Sequence, residues 1–279
     1  MRLRVNLIVA LVALAAVLLL LEAWRVPAGY PGMWAIVSFA ISAVLLETTG
    51  EDLRFETKGS TSFVIHLATG TVFGPFWGAL ITGIAACFSE VAQRKPLIKA
   101  VFNTSQRMIA VAGGVLVVYF LGAPVPLIDF RSGAPSIGAQ LQLGLLYFTL
   151  FASTYFAVNT TLVSMVVAIS SGRRFSEVWT LTCRGVIGYD LGASFLALVV
   201  GYLYVQADER TGMGALGLVG ALVPILVIRH IYGLYRKLQN SGRELLDLMV
   251  KAIEARDPYT SGHSVRVATL AKAIAQEAK

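Results

Sequence analysis

Residues 5–21 read VNLIVALVALAAVLLLL, a run without an ionisable side chain, bounded by Arg2 and Arg4 before it and by Glu22 and Arg25 after it. An apolar helix needs about 20 residues to cross the hydrocarbon core of a bilayer, so the stretch reads as a membrane span over 5–24. It is longer than the core of a usual signal peptide, and Glu22-Ala23-Trp24-Arg25 is no small-residue cleavage site, so an uncleaved first span is expected. Working outward, the same reading gives further spans at 33–47, 61–74, 76–92, 103–121, 143–170, 185–205 and 212–235, eight in all. Gly74-Pro75 reads as a tight turn. The third and fourth segments therefore form a hairpin, and a count of six or seven follows if they do not cross separately.

Composition agrees. The 279 residues are 56% hydrophobic and 14% charged, whereas soluble domains carry roughly 25% charged residues. A soluble fold this poor in charge would lack a polar cover. The net charge of +7 does not point to a nucleic acid polymer, because the basic residues sit in short loops beside apolar runs, as membrane anchors do. Cys87 and Cys183 show neither metal-ligand spacing nor a disulfide framework and read as small buried thiols.

With the N-terminus in the cytoplasm, the inner segments are MRLR, 47–60, 93–99, Arg173-Arg174 and the tail from Arg229. The outer segments surround Arg25 and Gly74 and include 123–142 and 206–212. Lys and Arg fall mostly on the inner side, and the outer side holds only Arg25, Arg131 and Arg210. The positive-inside rule then places both termini in the cytoplasm. Trp24, Trp34, Trp179 and Tyr235 suit the two interfaces. Glycines such as Gly78, Gly83, Gly188, Gly192 and Gly217 are expected to let helices pack closely.

The pattern changes after Arg229. Residues 236–254 are charged and helical in period, with Leu245, Met249, Ala252 and Ile253 on one face. Ser241-Gly242 reads as a break or cap, and Asp257-Pro258 as the end of that helix. A second helix is expected from Thr260 or Ser261, carrying Val267, Leu270, Ala271 and Ile274 on an apolar face. Two amphipathic helices cut from a larger bundle leave their apolar faces unburied, so residues after about 240 are expected to be poorly packed.

Residues 254–267, EARDPYTSGHSVRV, carry the one specific motif. Asp257, Tyr259, Thr260, Gly262, His263, Ser264, Arg266 and Val267 resemble the opening of the HD-GYP family, metal-dependent phosphodiesterases of the HD superfamily. The resemblance covers about 35 residues, from Arg243 onward. It implies an all-α catalytic domain and cyclic di-GMP as substrate, with His263 as first ligand of a site for iron, manganese or a similar divalent metal. Phosphodiester hydrolysis gains from two or more cations that activate water and neutralise the phosphate, and imidazole suits such ions. The family also needs a His-Asp pair, further histidines and the GYP loop, which do not occur within these residues. The expectation is a chain that ends inside the HD domain and, as it stands, is inactive.

Intramembrane polar residues are functional candidates because burying them is expensive. His66, Asn103, Gln106, Arg107, Arg184 and Asp190 form the possible sensing set, with Glu90 and Asn159 also notable. Asn103, Gln106 and Arg107 recur at helical spacing and suit one polar pocket. The plain alternative is that Arg107 and Arg184 snorkel to the inner interface while Asn103 caps a helix. Residues 73–107 resemble, more loosely, the membrane modules that precede bacterial signalling domains.

The expected fold is all-α: a polytopic sensor or anchor bundle over 1–235, a helical linker and the start of an HD domain over 236–256, and a truncated HD-GYP domain over 257–279. The expected function is a bacterial inner-membrane signalling protein coupled to a cyclic di-GMP phosphodiesterase. Expected partners are the lipid bilayer, a cyclic dinucleotide in the complete enzyme, and a second copy in a homodimer. The rival reading is a transporter or solute-binding membrane protein with a short cytosolic tail.

Overall fold

The computed structural model describes residues 2–48, 61–130, 137–183, 187–256 and 263–277, and every regular element among them is a helix. They are α1 (Arg2–Trp24), α2 (Met33–Thr48), α3 (Phe63–Ala92), α4 (Leu97–Phe120), α5 (Ile137–Ser171), α6 (Phe175–Cys183), α7 (Ile187–Ser194), α8 (Leu196–Thr211), α9 (Gly214–Arg256) and α10 (His263–Glu277). Five stretches are long and apolar enough to cross a membrane: Leu3–Trp24, Phe63–Ala92, Leu97–Phe120, Leu141–Ser171 and Asp190–Thr211. Met33–Thr48 and Gly214–Val227 are shorter apolar helices. The chain divides into two units, Met1–Leu226 and Val227–Lys279.

The centre of the first unit is α3, buried along nearly its whole length and packed against α1, α2, α4 and α8. It is not one straight rod. Gly74 has φ +77° and ψ −171°, outside helical space. That φ suits glycine alone, and Pro75 brings no N–H to continue the ladder. Residues eight apart in a straight helix are separated by about 12 Å. Here a Cβ on Gly78 would lie 2.8 Å from the Gly70 Cα. The two halves, 63–73 and 75–92, therefore fold back side by side as the hairpin expected from Gly74-Pro75. The tip at Gly74 meets Val125 and Ala28. The Leu127 N–H, 3.0 Å away, donates to the Thr71 carbonyl and ties the following loop to the hairpin.

Around this hairpin, Phe39, Leu46, Ile65, Leu67, Ile81, Phe148 and Phe151 make one apolar core. Side chains such as Leu7, Leu11, Leu14 and Leu18 on α1 face outward, which in a bilayer is burial against lipid rather than exposure. In the second unit, the rest of α9 and α10 leave Leu245, Met249, Val267, Leu270 and Ile274 exposed.

Several expectations change. The span read as 185–205 is two helices joined at Phe195, α7 and α8, and helical structure reaches Thr211. The loop before α5 is shorter than 123–142, because α5 starts at Ile137. Helix α6 was not expected. Ser241-Gly242 neither breaks nor caps anything, since α9 runs through both to Arg256. A single glycine costs a helix only about 1 kcal/mol, too little to stop one this long. Asn103 lies inside α4 and caps nothing. Cys87 is exposed, not buried. Gly188 and Gly192 have no neighbour within 4 Å of a would-be Cβ, so they seat no helix crossing among the described residues.

Candidate functional site

A polar network runs through the apolar bundle where α2 ends and α3 begins. Glu47, at the C-terminal end of α2, accepts a 2.6 Å hydrogen bond from the Arg107 guanidinium on α4. Its other carboxylate oxygen accepts a 2.6 Å bond from the Ser62 hydroxyl just before α3. The side chains of Arg107 and Glu47 are 16% and 9% exposed. Arg107 therefore does not snorkel away; it turns into the bundle and pairs there. Its Nη2 also stands 4.0 Å from Oε1 of Glu90, near the end of α3. That oxygen accepts a 2.9 Å bond from Lys95 Nζ. Glu90 is fully buried, and its Oε2 has no hydrogen-bond partner among the described residues.

A second part lies alongside. The Nδ1 atom of His66, one turn into α3, is 3.1 Å from the Tyr155 hydroxyl on α5, both residues buried. The charges of Arg107 and Glu47 reach both groups, and that of Asp190 reaches Tyr155. One turn deeper, Thr69 donates 2.8 Å to the His66 carbonyl. The Gln106 amide donates to Asn159 Oδ1 on α5. Asp190, in the first turn of α7, is 6% exposed and has a polar interaction of its own.

Depth follows from helix rise. Arg107 is ten residues past the start of α4 at Leu97, hence about 15 Å along it. Asn159 is twelve residues before the end of α5 at Ser171, hence about 18 Å from it. Both residues thus lie about three turns inside their helices, while Glu47 closes α2 and Lys95 lies between α3 and α4. Ions there are weakly screened, and removing one partner of a buried pair strands the other. Such a network holds one arrangement firmly and changes state when its charge or pairing changes. It differs in kind from the apolar groove of about 530 Å³ between α1, α4 and α5, lined by residues such as Leu11, Ile109, Leu162 and Met165.

Of the candidates, His66, Gln106 and Arg107 join this region, and Asp190 approaches it. Asn103 is half-buried on α4 and no hydrogen bond links it to the network among the described residues. Arg184 lies outside the described residues, as do Asp257, Tyr259, Thr260 and Gly262. His263 and Ser264 open α10, and Arg266 is exposed on it. Among the described residues no three His, Cys, Asp or Glu side chains gather as a metal site. Sequence reasoning missed Glu47, Lys95 and Tyr155 as members. Glu47 had a signal, an acid closing an apolar run; Tyr155 had none.

Comparison with known proteins gives one result. The MASE9 family model matches residues 33–235, and no curated protein and no solved structure matches the chain. The match takes in every member of the polar network, while α1 and the EARDPYTSGHSVRV block lie outside it. It covers more than half of the chain, which therefore belongs to the MASE9 family and carries a membrane-associated sensor domain.

Proposed function

We propose that the Glu47–Arg107–Glu90 network with His66 and Tyr155 is the detecting element of this sensor, and that its state is passed along α9 to a cytosolic HD-GYP-type cyclic di-GMP phosphodiesterase. The observation that carries the output half is the EARDPYTSGHSVRV block, which follows a helix running unbroken from Gly214 to Arg256. Helix α9, which carries Pro224, is the segment of chain that joins the sensor bundle to this block. His263 would supply one imidazole ligand to the metals, whose chemistry would be to activate water and neutralise the phosphate. Arg266 would orient phosphate or hold an ion pair.

The topology we assign is eight segments with both termini in the cytosol of a bacterial inner membrane. They are α1, α2, the two halves of α3, α4, α5, α7 with α8, and the first part of α9. Two observations support it. The positive residues favour one side, and the Gly74 tip packs on Ala28 and Val125, which belong to two segments assigned to the outer side. The first half of α3, eleven residues and about 16 Å, crosses only part of the bilayer. Its start lies at the polar network, where its end groups meet polar partners instead of lipid.

The test is to read the gene past codon 279 and assay cyclic di-GMP hydrolysis by the complete product in membranes, with and without His263→Ala. A His-Asp pair downstream, with metal-dependent hydrolysis lost in the variant, is the expected result. A frame without that pair removes the phosphodiesterase half and leaves the sensor assignment standing. Unchanged hydrolysis in both Glu47→Gln and Arg107→Gln, across conditions that alter wild-type activity, would remove the network from the detecting role. A transporter reading keeps one point in its favour, the broken hairpin beside buried charges. Solute uptake into vesicles that Arg107→Gln abolishes would decide for it.

A further inference from the structure

The apolar groove between α1, α4 and α5 takes no part in the polar network. Ile8, Leu11 and Ala15 of α1 line one side and Ala157, Thr161 and Met165 of α5 the other, and α4 contributes Ile109. Among these only Thr161 carries a polar side-chain group, and its hydroxyl donates 2.6 Å to the Ala157 carbonyl within α5. A polar occupant would find no free side-chain donor in this lining and would leave its own groups unsatisfied, whereas a hydrocarbon chain asks for none. The volume, about 530 Å³, lies within the range of ligand sites, roughly 300–1,000 Å³. Ile8 stands six residues from the start of α1 and Met165 six from the end of α5, each about 9 Å along its helix. From there the groove runs about 10 Å to Ala15 and about 12 Å to Ala157. One leaflet supplies about 15 Å of hydrocarbon, so the length suits one acyl chain of a single leaflet. Spread over that length, the volume gives a cross-section of about 50 Å², roughly half that of a helix about 10–12 Å across.

We infer that the groove seats an acyl chain of an anionic phospholipid, on the side of the bilayer assigned to the cytoplasm. Arg4, Ile8, Leu11 and Ala15 follow one another at steps of four, three and four, so they share one face of α1. The exposed Arg4 therefore stands one turn beyond the end of the groove, about 6 Å nearer the interface than Ile8. Arg173 and Arg174 follow the end of α5 on the same side. Arginines at that level attract anionic headgroups, and neither α1 before Glu22 nor any part of α5 carries an acid to oppose one. The seat borders the polar network. Ile109 follows Arg107 by two residues on α4, and Asn159, which accepts from Gln106, lies between Val158 and Thr161 on α5. Helix α1 lies outside the residues that the MASE9 family model matches, so one wall of the groove is not part of that match. The binding does not depend on the network being the detecting element.

The test uses the whole chain in phosphatidylcholine vesicles that contain a phosphatidylglycerol or a phosphatidylcholine with a photoactivatable diazirine on its acyl chain. Labelled peptides are mapped by mass spectrometry. Phosphatidylglycerol is expected to label residues 8–15 and 157–165 more strongly than the stretches around the outward-facing Leu18 and Leu146. There it should exceed phosphatidylcholine by about fivefold, the pull of one arginine on an anionic headgroup. Arg4→Gln, at an exposed residue, should remove that excess while labelling of the groove persists. Ala15→Phe combined with Ala157→Phe fills the groove and should bring its labelling down to the level at Leu18 and Leu146. Labelling spread evenly over the outward-facing stretches would mean passing bilayer lipid only and overturns the proposal. Equal labelling by the two probes, or an excess that Arg4→Gln leaves untouched, overturns it as well. An unlabelled groove in folded protein gives the groove to another occupant, such as a second copy, and also overturns it.

Discussion

Phe39, Phe148 and Phe151 in the first unit are wholly buried, whereas Leu238, Leu246 and Leu270 in the second are 72%, 64% and 64% exposed. The side chains are chemically alike, and what differs is the demand placed on them. In the bundle, α3 folded at Gly74 gives its neighbours a shaped surface, and the leucines left outside it meet lipid. Beyond Tyr235 the chain turns charged, and each exposed leucine there is apolar surface that the described residues leave open. The first unit therefore has a core of its own, while the described residues of the second leave apolar faces open. Substitutions should divide along the same line, with large effects on bundle stability in the first unit and small ones in the second.

The largest expected effect is at the ionic network. Arg107→Leu takes its cation from Glu47, while Glu90 keeps Lys95, and breaking a buried ion pair costs about 3–5 kcal/mol. The thermal midpoint of the detergent-purified protein should fall by many degrees. Glu47→Leu combined with Arg107→Leu should recover much of that loss, because the pair is removed together. A double variant as unstable as the sum of its parts would show that the two residues act separately.

Close helix contact ranks next. A Cβ on Gly217 would lie 2.0 Å from the Leu203 carbonyl oxygen and 2.4 Å from its carbon, both backbone atoms. Backbone cannot swing aside as a side chain can. Gly217→Ala should then cost at least about 1–3 kcal/mol by overpacking, read as a lower midpoint. Gly113, with nothing within 4 Å of its would-be Cβ, is the control. Gly113→Ala should raise stability by roughly 0.5–1 kcal/mol, the helix preference of alanine over glycine. A loss at Gly113 as large as that at Gly217 would contradict the packing of α8 against the start of α9.

These positions also show how much the sequence disclosed. Apolar runs announced most spans, because crossing lipid needs length and little else. Gly74-Pro75 announced the hairpin, because few other residue pairs reverse a helix so sharply. Arg107 was visible as an odd charge, but its partner Glu47 lies sixty residues away, and no periodicity links an acid ending one helix to a base inside another. Tyr155 was hidden for a related reason: in an apolar run a tyrosine reads as an aromatic, and only the fold sets its hydroxyl against His66. Helix α6 escaped because nine residues beside a bilayer need neither the length of a span nor the caps of a soluble helix.

The smallest expected effect belongs to the second unit and sharpens the contrast most. Leu246, on α9, is 64% exposed. Its side chain is mostly open, and surface substitutions to Lys of this kind usually change stability by within about 0.5 kcal/mol. The thermal midpoint of the bundle should stay where it is. In a product carrying a complete HD domain, the same substitution should be damaging, since the apolar Leu245–Ile253 stretch around it then has a core to enter and a lysine there would be buried without a partner. A loss of bundle stability with Leu246→Lys in the 279-residue chain would mean that the tail already packs on the first unit.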